Sequence, residues 1–171
     1  MEAQIIIVGG IPGTGKTTIA NSLSKSINAP VFTKDILEAA VVRRGLATSK
    51  DLKGVGYELM AVLALNEFKQ GRSSILDCIA STERVKMFWA TLIHENTSYI
   101  ECVCSDVSIH RKLIKNRKRN IPNWYELEWN DVLKIKETYK PWSEERLVLD
   151  ATECLQSNIN KAIEYVRYQN I

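Results

Sequence analysis

Apolar residues along this chain switch repeatedly between two spacings. Short runs rich in Ile, Val and Leu at residues 4–9, 30–33, 73–79, 98–104 and 146–150 read as strands. Between them the spacing becomes helical. Ile19, Leu23 and Ile27 share one face, and Ile36 with Ala40 and Leu37 with Val41 mark a second helix. Leu59, Val62, Leu63 and Asn66 mark a third, with Gly71 placed to end it. A fourth is expected over residues 82–95. A fifth begins at Ser105 or Asp106, both good N-caps, and carries Val107, Leu113 and Ile114. A sixth is expected over residues 124–140, stopped by Pro141, and a last from Leu155 carries Ile159, Ala162, Ile163 and Val166. Five strands alternating with helices predict one α/β domain over residues 1–171, with a parallel sheet covered on both faces and right-handed crossovers. Ligands of such sheets bind beyond the carboxyl ends of the strands, so the residues after each strand carry the information.

After the first strand comes G-I-P-G-T-G-K-T at residues 10–17, the pattern of a phosphate-binding loop (Walker A), and it opens a helix. Gly10, Gly13 and Gly15 let the backbone wrap close to a phosphate, with Pro12, Thr14 and Thr18 in the same turn. The helix N-terminus adds partial positive charge there. Lys16 is expected to reach the β/γ-phosphates and the Thr17 hydroxyl to ligate Mg²⁺. The expected cofactors are therefore ATP and Mg²⁺.

Composition narrows the class. A chain of 171 residues with 45% hydrophobic and 25% charged residues is that of a globular domain. No stretch approaches the roughly 18 apolar residues of a membrane span, and residues 1–2 lead straight into a strand, so a cytoplasmic location is expected and no membrane partner. Cys78, Cys102, Cys104 and Cys154 form no metal-binding spacing and read as small apolar residues. The net charge of +3 is uneven. Residues 111–119, R-K-L-I-K-N-R-K-R, read as a solvated helix face, a phosphate clamp or a nucleic-acid patch.

The other strand ends supply candidates. Asp35 follows the second strand, where a carboxylate could take the proton of a hydroxyl that attacks a γ-phosphate; it is also a natural N-cap for a helix from Ile36. Asp77 ends the third strand, S-I-L-D, and reads as a Mg²⁺ or acceptor partner, or as a turn cap. Arg117, Arg111 and Arg119, in that order, are the cationic candidates for the transferring phosphoryl group. Residues 115–126, which include Ile121, Pro122 and Asn123, suit a short basic lid. Trp124, Tyr125, Trp129, Tyr139 and Trp142 read as core of the sixth helix, as an acceptor-pocket wall, or as a base-stacking surface. His94 and His110 are assigned no role. Residues 150–153 follow the last strand, where adenine could pack.

These residues resemble the small P-loop kinases, a group that includes gluconate and shikimate kinases, chloramphenicol phosphotransferase, zeta-toxin kinases and the kinase part of polynucleotide kinases; many members are known only as AAA-family ATPases. The resemblance rests on G-I-P-G-T-G-K-T-T, on T-K-D at residues 33–35, on L-D with S-T-E-R at residues 76–84, and on H-R-K-L-I-K-N-R at residues 110–117. It implies the three-layer P-loop NTPase fold with sheet order 2-3-1-4-5, ATP in the loop, an acceptor-facing Asp35, a lid arginine at Arg111 or Arg117, and Arg84 near the acceptor. No nucleoside-monophosphate-kinase element D-G-F-P follows the third strand. The expected activity is transfer of the γ-phosphate of ATP to a hydroxyl of a small-molecule acceptor. The alternatives are a polynucleotide 5′-hydroxyl kinase, for which a nucleic acid is the partner, and a non-enzymatic ATP-binding switch.

Overall fold

Strands β1 (Ile5–Gly9), β2 (Val31–Thr33), β3 (Ser74–Asp77), β4 (Thr97–Val103) and β5 (Leu147–Asp150) form one sheet in the order β2-β3-β1-β4-β5, with every neighbouring pair parallel. The expected α/β, P-loop NTPase architecture with order 2-3-1-4-5 is what the chain adopts. The structure is a computed structural model that describes residues 2–52, 54–89, 92, 96–143 and 145–168, without the side chains of Thr82, Arg84 and Phe88. Its helices are α1 (Lys16–Ile27), α2 (Lys34–Arg43), α3 (Val55–Lys69), α4 (Thr82–Trp89), α5 (Val107–Asn116), α6 (Trp129–Thr138) and α7 (Leu155–Tyr168).

The central strand explains the three layers. All five residues of β1 are buried, and successive side chains leave opposite faces. Ile5 and Ile7 join a core with Met60, Ala64 and Trp89. Ile6 and Val8 join a second core with Leu23, Ala162 and Val166. Each fully buried aliphatic side chain contributes roughly 1.5–3 kcal/mol. Parallel strands buried on both faces read as unbroken apolar runs, which is why the strands were legible.

Two helices differ from the sequence expectation. The second begins at Lys34 rather than Ile36, so Asp35 sits in its first turn and Thr33 takes the N-cap position. Asp35 is thus not an N-cap. The sixth helix begins at Trp129, not near residue 124. Pro122 and Asn123 (φ 59°) form a turn closed by the Trp124 N–H, which donates to the Ile121 carbonyl at 3.1 Å. Proline followed by a left-handed Asn is the chemistry of a type II turn, and it overrides the helical spacing of the aromatics. The expected extension of the fourth helix toward residue 95 falls partly on residues outside those described, as does His94. The fifth helix starts as expected, with the Asp106 carboxylate accepting the Ile109 N–H at 2.8 Å.

No helix among the described residues is long and apolar enough to cross a membrane.

Candidate active site

The loop between β1 and α1 is shaped by three glycines at positive φ. Gly10 has φ 130°, and a Cβ there would lie 2.1 Å from the Cys102 carbonyl oxygen on β4. At Gly13 (φ 84°) a Cβ would meet the Ile114 side chain at 2.5 Å. The loop is therefore clamped between β4 and α5. Its side chains close it from within: the Thr14 hydroxyl and the Lys16 ammonium both donate to the Ile11 carbonyl, each at 2.9 Å.

Lys16 and Asp77 form the buried electrostatic centre. Burial pushes the Lys16 pKa down, against the attraction of Asp77, and nearby Arg117 lowers it further. Burial likewise pushes Asp77 up, against Lys16 and the Thr17 hydrogen bond. The Thr17 hydroxyl donates to Asp77 Oδ2 at 2.7 Å. This brings one hydroxyl and one carboxylate oxygen together at the mouth of the loop. Such a hard-oxygen pair fits Mg²⁺, which keeps several waters and binds through one or two carboxylates plus phosphates.

Facing this centre is the second wall of a cleft of about 390 Å³. Asp35, from the first turn of α2, and Arg117 and Arg119, from the segment after α5, line the same cavity as Lys16, Thr17 and Asp77. Arg119 Nη1 donates to Asp35 Oδ2 at 2.5 Å. The arginine is itself held: Glu126 accepts its backbone N–H at 2.9 Å and its Nε at 3.1 Å, and the Tyr125 carbonyl accepts its Nη2. Arg117 makes no ion pair among the described residues. Burial, then the like charge of Arg119, lowers its pKa, against Asp35 and Asp77; a guanidinium stays charged under such pressure. Beyond the loop lie two smaller cavities. One of about 270 Å³ is lined by Gly15, Thr17, Thr18, Leu113 and Asn116. One of about 210 Å³ reaches Ala151, Glu153 and Leu155 after β5.

Not every sequence candidate arrives here. Arg111 points away from the cleft, and its guanidinium lies over the Trp129 ring at 5.7 Å. Its position one turn earlier on α5 than Ile114, on the face toward α6, explains this. Arg84 lies in α4, and its side chain is outside the described residues. The aromatic cluster divides. Trp142 is core, donating its Nε1–H to the Ala80 carbonyl and packing on Tyr99 at 4.4 Å. Tyr139 donates to the buried Glu101 at 2.7 Å. Tyr125 lines the cleft, and Trp129 packs edge-on against His110.

Two contributions escaped sequence reading. His110 is fully buried, and its Nε2–H donates to the Pro12 carbonyl of the loop at 2.7 Å. Its i, i+4 relation to Ile114 places both on the loop-facing side of α5 and was the available signal. By contrast, Leu113 is 40% exposed and Val107 55% exposed, while Ile114, read with them as the apolar residues of the fifth helix, is buried. Leu113 lines the small cavities, which accounts for an apolar residue without a core partner. Glu126, which fixes Arg119, carried no local signal.

Residues 6–69 match the ATPase family associated with various cellular activities (AAA). A UPF0200 protein of Pyrobaculum aerophilum is 32% identical over 92 residues, covering 48% of this chain and 50% of its own length. The match thus spans half of that curated relative. Three solved structures share the fold across nearly the whole chain. A sugar kinase of Janibacter sp. HTCC2649 aligns with TM-score 0.73 at 15% identity, covering 96% of this chain and 95% of its own. A gluconokinase of Sinorhizobium meliloti 1021 aligns at 0.71 and 12%, covering 98% and 93%. Chaetomium thermophilum Kti12 in complex with ADP-AlF3 aligns at 0.70 and 14%, covering 96% and 98%. The AAA-family match covers the segment from β1 through α3, and the solved structures share the fold of the whole chain.

Proposed function

We propose that this chain is an ATP-dependent phosphotransferase that moves the γ-phosphoryl group of ATP to a hydroxyl of a small-molecule acceptor. One observation carries the reading: Lys16, Thr17 and Asp77 share a single cleft with Asp35, Arg117 and Arg119. A phosphate-binding module alone would need no carboxylate and no paired arginine on the opposite wall.

The roles follow from position. The 10–17 loop and the N-terminus of α1 cradle the phosphates, and Lys16 leaves the Ile11 carbonyl to reach them. Thr17 and Asp77 would hold Mg²⁺, which when bound offsets phosphate charge. Asp35 uses the oxygen not bonded to Arg119 to accept the acceptor's proton as the acceptor oxygen bonds to the γ-phosphorus. The bond from that phosphorus to the β–γ bridging oxygen breaks, and ADP departs with the electron pair. Arg117 neutralises charge on the equatorial oxygens. Adenine would pack near Leu113 and Ala151. The segment after α5 would act as the lid that excludes water.

A screen of hydroxyl-bearing metabolites with ADP detection tests the reading. Acceptor-dependent ADP release by the wild type, absent in K16A, is the expected result. ATP binding with no turnover on any acceptor would replace it with the ATP-binding switch.

A further inference from the structure

A second cavity exceeds the cleft in volume. A groove of about 860 Å³ runs between α5 and residues 126–129, on the side of the lid segment where Arg111 lies. Its floor is apolar: Val107, Ile114, Leu127 and Trp129. Its rim is cationic: Arg111, Lys112 and Lys115 all line it, all are exposed, and none makes an ion pair among the described residues. The two rim carboxylates have other partners: Glu126 accepts from Arg119, and Glu128 accepts the Asp131 N–H at the start of α6. The Arg111 guanidinium lies 5.7 Å from the Trp129 ring centroid, so a planar cation and an indole stand together in the groove.

We infer that this groove binds single-stranded nucleic acid, with a base stacked at the Arg111–Trp129 platform and successive phosphates along the basic face of α5. Charge complementarity selects a polyanion, and the aromatic floor selects one that carries flat apolar groups. Arg111 and Lys115 are separated by one helical turn, about 6 Å of rise. Cations spread along an axis suit phosphates strung along a chain better than the clustered phosphates of one nucleotide. A duplex keeps its base faces stacked and cannot offer one to Trp129. The groove shares Arg117 and Leu127 with the cleft, but the residues that carry the inference, Arg111, Lys112, Lys115 and Trp129, do not line the cleft, so it does not depend on phosphotransfer.

The test is fluorescence anisotropy with a labelled oligothymidylate about 12 nucleotides long, a length within the range single-strand sites occupy, without ATP. Binding to the wild type should weaken steeply with added salt and exceed binding to the matching duplex. K112E/K115E changes only exposed side chains, and it should weaken strand binding by about tenfold or more. W129F should retain binding, and W129L should lose about fivefold or more, as expected for a stacked base. Three results would overturn the inference: no binding at low salt, binding insensitive to K112E/K115E, or polyphosphate competing as well as the strand with no effect of W129L. ATP affinity, measured separately by calorimetry, keeps a failure of this groove distinct from a failure of the kinase reading.

Discussion

Arg119 bonds Asp35 across the cleft, Nη1 to Oδ2, at 2.5 Å, although the two residues lie 84 positions apart in sequence. The contact ties the lid segment to the wall of the proposed acceptor site. It also divides the carboxylate between its two oxygens, one held and one available. Asp35→Asn keeps the shape and removes the proton acceptor. We expect turnover to fall by roughly 10²–10⁴-fold with ATP affinity unchanged. Equal turnover on an acceptor found by screening would sink the assignment. Arg119→Ala should impair turnover as well, and Arg119→Lys should not restore it fully, because one ammonium cannot serve Asp35, Glu126 and the Tyr125 carbonyl in the same planar geometry.

The Thr17–Asp77 hydrogen bond predicts a metal phenotype. Thr17→Val and Asp77→Asn each remove one oxygen donor suited to Mg²⁺. ATP titrations with and without Mg²⁺ should show a metal-dependent gain in the wild type that shrinks by about tenfold in either variant, in line with the loss of a charged hydrogen-bonding partner. An undiminished gain would place the metal elsewhere.

Two glycines separate backbone strain from collision. Gly71 has φ 73° with open space around it, so Gly71→Ala should cost only about 1 kcal/mol. Gly10→Ala adds contact with a backbone carbonyl that no rotamer change relieves, and should cost more than about 3 kcal/mol. Urea unfolding of the two variants checks the ranking. A Gly10→Ala protein as stable as Gly71→Ala would mean that the loop does not press on β4.

The fold was legible because its three central strands are buried on both faces, and unbroken runs such as Ile5 to Val8 admit few other readings. The phosphate half of the site was legible for a related reason: its geometry is local, written in one loop of eight residues. The opposite wall was less so. Asp35 was found by its position after β2, yet its partner was ranked last of three arginines. Nothing in the spacing of Arg111, Arg117 and Arg119 says which reaches the cleft; that depends on where α5 ends and on the turn at Pro122 and Asn123. Trp124 and Tyr125 were misplaced on a helix because helical spacing was weighed above that turn. His110 went unassigned because its partner is a backbone carbonyl 98 positions away.

His110 adds a pH prediction. Burial lowers its pKa below the ordinary 6.5, against the Pro12 hydrogen bond; the charges of Lys136 and Lys16 push the same way as burial. A base with a depressed folded pKa contributes stability that is complete above 6.5 and declines as pH falls below it, because the unfolded chain takes up the proton first. The wild type should therefore lose stability between pH 7 and 5, and His110→Gln should lose less over the same range. Denaturant midpoints at several pH values measure the difference. Parallel curves would show that His110 is not protonated on unfolding in that window.

The 10–17 loop and the segment after α5 meet the cleft in different ways. A side chain at Gly10 would have to displace the backbone of β4, and one at Gly13 the Ile114 side chain of α5. Arg119 reaches Asp35 through side-chain atoms, with Glu126 and the Tyr125 carbonyl holding the arginine in place. Replacing these residues would reshape the wall that faces the proposed acceptor and leave the contacts of the phosphate loop with β4 and α5 as they are.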